Sequence, residues 1–194
     1  MSGVQVSFYS EEELYSIGLK SFGKNVKISH KSSFYSPDKI EIGNNVRIDD
    51  FCVLSGKIRI GDHVHINAFC VFSSGNGGII LNDFCNISSR VAIYAVSDDY
   101  SGEWMTSPLL PSDYTNITSG EVVLERHCII GTGSTVLPGC RLGIGCAVGA
   151  MSLVRKSLPE WGIYAGIPAR LLRKRSRKII DLEKAFPSGE LPQC

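Results

Sequence analysis

From Leu124 to Val154 the chain counts in sixes. Leu124, Ile130, Val136, Leu142, Val148 and Val154 are all aliphatic and evenly spaced, and Gly131, Gly143 and Gly149 each follow an anchor. An amphipathic helix repeats near 3.6 and a half-buried strand at 2, so a strict period of six predicts a coil of short strands joined at corners. The same spacing runs back through Phe22, Ile28 and Phe34. It resumes after Ser36-Pro37-Asp38 from Ile42 to Phe72, and after the Ser- and Gly-rich residues 73–78 as Leu81, Ile87 and Ile93. Eighteen anchors at three per turn predict about six triangular coils, with anchors 18 residues apart stacked and each coil packed only on its neighbours. A sandwich of short strands would have no reason to hold this period.

The repeat makes one domain of the 194 residues. Residues 1–21 form an N-terminal segment whose Ser10-x-x-Glu13 capping box starts a short helix. Residues 22–157 are the coil, with a loop inserted at about 97–120. Residues 158–194 are a connector, a basic helix over Ala169 to Phe186 and a loose tail.

Twenty Lys and Arg against 19 Asp and Glu give no global field toward nucleic acid or an anionic membrane, so an anionic ligand must be met by a local patch. No apolar run approaches the ~20 residues of a membrane span, and the first residues lack a secretory pattern. The expectation is a cytoplasmic protein with no membrane insertion and no nucleic-acid partner. Of seven cysteines, Cys52, Cys70, Cys85, Cys128, Cys140 and Cys146 each stand two residues before an anchor. Residues two apart on a strand share a face, so these thiols are expected inside the coil as small apolar packing, not as disulfides or metal ligands. Cys194 falls outside the pattern.

Together with IIGTGSTVLPGCRLGIGCAVGAMSLVRKS at 129–157 and YAGIPARLLRKR at 164–175, the hexads resemble the hexapeptide-repeat acyltransferases, in the sugar and galactoside acetyltransferase branch. The resemblance covers about residues 20–175. It implies an all-β solenoid, a left-handed parallel β-helix; the hand comes from the resemblance alone, because parallel crossovers are ordinarily right-handed. It also implies a homotrimer with active sites between subunits, acetyl-CoA as donor, and an acetyltransferase acting on a nucleotide-linked or glycan sugar for a surface polysaccharide. A non-sugar acceptor such as an antibiotic or amino acid, or a non-catalytic scaffold, are the other readings.

The family's donor positions correspond to corner residues Gly131, Thr132, Gly149 and Ala150 for the pantetheine arm, and to Lys156, Arg170 and Arg173 for the phosphates. Arg155 departs from the small hydroxyl residue usual in relatives, and is read either as another phosphate contact or as a residue that simply faces solvent. On the acceptor side, Asn67 matches an acceptor-pocket asparagine, one corner below Ser88; its plainer reading is a corner residue in left-handed backbone.

The family's catalytic histidine falls at Asp98, and the inserted loop holds no histidine. A hydroxyl nucleophile is served by an imidazole of pKa about 6.5 better than by a carboxylate near 4. An amine needs less help, so Asp98 is read as orienting or deprotonating an amino sugar, or as a perturbed base toward a hydroxyl. His65 is an alternative base, and His127 lies near the expected pantetheine corner. Asp99, Tyr100, Glu103 and Trp104 are candidate acceptor contacts, because loops this long are usually functional or disordered and aromatic faces stack on sugars.

Overall fold

A computed structural model describes residues 8–186; Cys194 and the rest of the tail lie outside the described residues. The hexads wind a β-solenoid with three parallel sheets. The first face stacks the strands at Phe22, Ile42, Ile60, Leu81, Leu124 and Leu142; the second those at Ile28, Ile48, Ile66, Ile87, Ile130 and Val148; the third those at Phe34, Leu54, Phe72, Ile93, Val136 and Val154. In-register pairs such as Ile48 with Ile66 and Ile130 with Val148 confirm the predicted stacking. Every anchor is buried except Phe22 and Phe34 in the first coil, which are half-buried because no coil covers them from below. Full burial of such a side chain contributes roughly 1.5–3 kcal/mol, so the stack itself stabilises the fold.

The six cysteines named above are all buried and free, as their spacing requires. Where residue 134 or 152 replaces cysteine on the same inner column, the side chain is serine, also buried.

The coil passes from first to second face at edge A, from second to third at edge B, and from third back to first at edge C. Edge A stacks His63 on Phe84 at 4.8 Å and Phe84 on His127 at 5.1 Å. All three residues have positive φ. That backbone costs a bulky L-residue of the order of 1–2 kcal/mol, which ring stacking between successive coils offsets. Edge B likewise stacks Phe51 on Phe69 at 5.0 Å. At edge C, Pro37–Lys39 is a 3-10 turn where the first register slip was read. The inserted loop also leaves from edge C, on a hairpin pairing Val96–Ser97 with Thr118–Ser119.

The N-terminal capping box forms: the Glu13 N–H donates to Ser10 Oγ at 3.3 Å and the Ser10 N–H to Glu13 Oε2 at 2.8 Å, opening α1 (Glu11–Leu14).

At the other end two expectations are corrected. The stretch read as a connector continues the solenoid into a seventh coil: Leu158 bridges to Leu142 on the first face, and Gly162–Ala165 joins the second with Tyr164 buried over Val148. The basic helix read over Ala169–Phe186 is a strand, Arg170–Lys174, followed by a shorter helix, α2 (Lys178–Ala185). The strand runs antiparallel to Gly162–Ala165 and pairs backbone groups that the last coil would otherwise leave open. α2 docks on edge A, where Glu183 meets His127 at 2.6 Å and also Arg126, and Phe186 lies edge-on to His63 at 5.4 Å. Among the described residues, no helix is long and apolar enough to cross a membrane.

Candidate active site

Edge B carries a ladder of residues that follow the second-face anchors. The N–H groups of Asp49, Asn67, Ser88, Gly131 and Gly149 each donate to the anchor carbonyl of the coil above at 2.7–2.9 Å. One residue further, Thr132 and Ala150 are exposed and stacked, with the Met151 N–H bonded to the Thr132 carbonyl at 2.8 Å. This is the outward-facing pair expected along the pantetheine arm. The glycines serve the packing beneath it. A Cβ on Gly131 would stand 2.4 Å from Ala150 N and 2.7 Å from the Gly149 carbonyl carbon, so glycine lets two coils approach at this corner. From inside, Ser134 Oγ and Ser152 Oγ both donate to the Gly149 carbonyl, at 2.9 and 2.8 Å, and the Gly166 N–H donates to Ser152 Oγ at 3.1 Å. The corner is therefore pinned from within, while the outer groups of Thr132 and Ala150 face solvent.

The basic candidates divide. Arg155, Lys156 and Arg170 rim a cleft of about 180 Å³ at edge C of the last coil, with Pro168 and Ala169 on its wall. All three are exposed, and among the described residues none of their side chains has a hydrogen bond or ion pair. Converging cations without a carboxylate suit a phosphate-bearing ligand, and two guanidinium groups can grip oxygens bidentately. That is the chemistry expected where the phosphates of coenzyme A bind. Arg173, opposite Ile163 in the antiparallel pair, is exposed and does not line the cleft. Arg175 and Arg177 are structural: Arg175 Nη1 donates to the carbonyls of His127 at 2.8 Å and Gly145 at 3.0 Å, and Arg177 pairs with Glu160 at 3.2 Å.

On edge B the acceptor candidates differ in how free they are. His65 Nε2 lies 2.8 Å from Asp49 Oδ2, whose other oxygen accepts from Arg47 Nε at 2.6 Å. This imidazole is held on a carboxylate, not poised alone. Asn67 does not have positive φ; the left-handed corner position is Phe69, two residues on. Its left-handed-corner reading therefore falls away. The side chains of Asn67 and Ser88 are half-buried and have no partner among the described residues. Ser88 stands directly above Asn67 on the same edge, a relation that the 18-to-21-residue spacing of the coils already implies.

The loop separates its two adjacent aspartates. Asp99 accepts from the Ser101 N–H at 2.8 Å, Ser101 Oγ at 2.5 Å and Asn116 Nδ2 at 3.3 Å. These hydrogen bonds, those to Ser101 foremost, hold its carboxyl below the usual carboxylate range. The Asp98 carboxylate is exposed and unpartnered among the described residues. Asp99 thus ties the loop together, while the Asp98 carboxylate takes no part in holding it. Tyr100, Glu103 and Trp104 are exposed along the same loop, Tyr100 at 92%.

One chain does not bring all the candidates together. Asn67, His65 and Ser88 belong to edge B, whereas Asp98 leaves from edge C across the third face. At about 3.3 Å per residue the strand between those edges spans roughly 15–20 Å. His127, at edge A, lies apart from both and is bonded to Glu183 under α2.

Comparison with known proteins fits this arrangement. Residues 39–74 match the bacterial transferase hexapeptide (six repeats) family. Over 183 residues, 93% of this chain and 95% of the relative, the sequence is 48% identical to a dTDP-4-amino-4,6-dideoxy-D-glucose acyltransferase of Escherichia coli. Among solved structures it is similar to AntD, an N-acyltransferase of Bacillus cereus bound to dTDP and 3-hydroxybutyryl-CoA, with 52% identity, a TM-score of 0.91, and 92% and 95% of the two chains covered. AntD variants changed at a serine and at an aspartate ten residues apart have been solved with coenzyme A, one with dTDP-4-amino-4,6-dideoxyglucose and one with dTDP. With the hexads wound as a three-faced solenoid and a full-length relative at nearly half identity, the chain belongs to the hexapeptide-repeat family of CoA-dependent acyltransferases, in its sugar-modifying branch.

Proposed function

We propose that this protein transfers a short acyl group from acyl-CoA to the 4-amino group of a dTDP-linked 4-amino-4,6-dideoxyhexose destined for a surface polysaccharide. The observation that carries the reading is the free carboxylate of Asp98 at the place of the family's histidine, in a chain so similar to an amino-sugar acyltransferase. AntD's substituted serine and aspartate are ten residues apart, as are Ser88 and Asp98 here. Ser73 with Asp83 and Ser89 with Asp99 repeat that spacing, but Asp83 is engaged by Arg126 and by the Asp62 N–H, and Asp99 by its own loop.

In this reading a trimer brings Asp98 of one copy to edge B of another, beside Ser88 and Asn67. Acyl-CoA supplies an electrophilic thioester carbonyl when bound. The amine nitrogen bonds to that carbon as the C–S bond breaks, and the leaving thiolate takes up the proton that the acylated nitrogen sheds, giving the free thiol and the amide. Asp98 holds the sugar ammonium, takes the proton that frees its lone pair, and passes it to solvent. A carboxylate suffices because an amine of pKa near 8, like an α-amino group, is already partly neutral at pH 7. The donor is written as acyl-CoA because acetyl-CoA is the expectation from resemblance and 3-hydroxybutyryl-CoA is what AntD holds.

The test is thiol release from acetyl-CoA and from 3-hydroxybutyryl-CoA with dTDP-4-amino-4,6-dideoxyglucose, against the same nucleotide sugar bearing a 4-hydroxyl. Amide product by mass spectrometry, with the hydroxy sugar at least 100-fold slower, is expected. Equal turnover of the hydroxy sugar would sink the assignment to nitrogen.

A further inference from the structure

Both proposed substrates carry a diphosphate, so the reaction needs two anion seats. The cleft at Arg155, Lys156 and Arg170 supplies one. A second concavity, of about 290 Å³, opens on the first face, rimmed by Lys39, Lys57 and Arg59 and floored by Gly78 and Ile80. Among the described residues none of these three cations has an ion pair or side-chain hydrogen bond. Of the two carboxylates in the lining, Glu41 is already paired with Lys20 at 2.6 Å, and that bond holds its carboxyl below the usual range, with smaller help from Arg59 and Lys57. Glu121, at the root of the inserted loop, is the other. The concavity therefore keeps a net excess of positive charge over an apolar patch, half-exposed Ile80, which suits an anion attached to a flat apolar ring better than a free inorganic ion.

Its position gives the excess charge a purpose. Lys39, Lys57, Gly78 and Glu121 precede successive first-face strands, so they rise along edge C. The loop bearing Asp98 leaves that edge two coils above Lys57, and Arg155 and Lys156 stand two coils above the loop. At about 4.8 Å per coil, Lys57 on one side and Arg155 and Lys156 on the other stand roughly 10 Å along the edge from the loop root, which Glu121 joins to the first-face concavity. We propose that Lys39, Lys57 and Arg59 form a seat for the diphosphate of the nucleotide-linked acceptor at the foot of the Asp98 loop. This rests on the nucleotide-sugar reading above. Lys57 and Arg59 grip the phosphate oxygens, Ile80 meets the base, and the sugar is directed toward the loop.

The test measures dTDP and coenzyme A affinities of the full chain by calorimetry, for wild type, Lys57→Ala, Arg59→Ala and the double variant, with folding checked by circular dichroism. Each single change is expected to weaken dTDP binding about 5- to 30-fold and the double change more than 50-fold, with coenzyme A within twofold. Arg59→Lys should recover part of the loss, and the slope of dTDP affinity against salt should flatten in the double variant. Glu121→Gln, which removes a facing carboxylate, should tighten dTDP two- to fivefold and serves if the double variant folds poorly. A double variant that binds dTDP within twofold of wild type overturns the seat, as does a Glu121→Gln protein with unchanged or weaker dTDP affinity. Wild type that binds coenzyme A but not dTDP at millimolar concentration would instead sink the nucleotide-sugar reading, and the seat with it.

Discussion

Replacing Asp98 by Asn keeps the shape of the loop and removes one charge. The carboxylate is exposed and makes no hydrogen bond among the described residues, so stability should move by no more than about 0.5 kcal/mol. Its effect on the reaction is bounded by the same exposure. An ammonium about 4 Å from a carboxylate gains roughly 1 kcal/mol in water and about 4 kcal/mol at an effective dielectric of 20, and an open loop belongs between those limits. Proton removal by a positioned base is worth about 10²- to 10⁴-fold. The two ranges overlap near 10²-fold, or about 2.7 kcal/mol, which is the expected fall in kcat/KM at pH 7. If Asp98 takes the proton the loss falls on kcat; if it only holds the ammonium, on KM. Asp99→Asn serves as the contrast: it weakens hydrogen bonds that shape the loop, so limited proteolysis between residues 98 and 117 should accelerate there and not in Asp98→Asn. The assay is steady-state thiol release with the amino sugar, alongside a thermal melt. If Asp98→Asn and Asp98→Ala both retain kcat/KM within threefold of wild type, the carboxylate has no part in the reaction.

Two further outcomes follow from the packing. Gly131→Ala puts a methyl 2.4 Å from backbone nitrogen that cannot rotate away, so the coils must part at the corner proposed for the cofactor arm; a loss of about 1–3 kcal/mol in urea unfolding, with weaker coenzyme A binding, is expected. Burial pushes the Cys146 thiol up to about 12, well above a thiol's unfolded value near 8.5. Its contribution to stability is complete below about pH 8.5 and is lost as pH rises toward 12, because the unfolded thiol ionises first. The urea midpoint should therefore decline from pH 8.5 to 10.5 more steeply in wild type than in Cys146→Ala, and parallel slopes would refute this account.

The division between what was legible and what was not follows sequence distance. A period of six is a statement about neighbours, so the anchors, the inward cysteines and the stacked corner pair Thr132 and Ala150 could all be counted from the residues alone. Ser10 and Glu13 satisfy each other within one turn, and their helix start was equally plain. The seventh coil was missed because Val154 to Leu158 breaks the count by two residues; only pairing with Leu142 shows that the winding continues. Residues 170–174 have helix-forming composition, yet an open strand edge at the end of the solenoid offered their backbone better partners than a helix could.

The site divides in the same way. Sequence alone determined the repeat, hence the three-faced coil, and it placed a carboxylate where the family has a histidine. It put Asp98 ahead of Asp99 only by counting to the family's histidine; the physical difference between them, that Ser101 and Asn116 occupy the Asp99 carboxylate, exists only in the folded loop. Nor could it tell that Arg155, Lys156 and Arg170 share a cleft while Arg175 supports the backbone of edge A, or that Lys39, Lys57 and Arg59 line one edge with the loop between the two basic concavities. Those are relations between residues distant in the chain and adjacent in space, created when successive coils stack about 4.8 Å apart, and only the tertiary structure decides them.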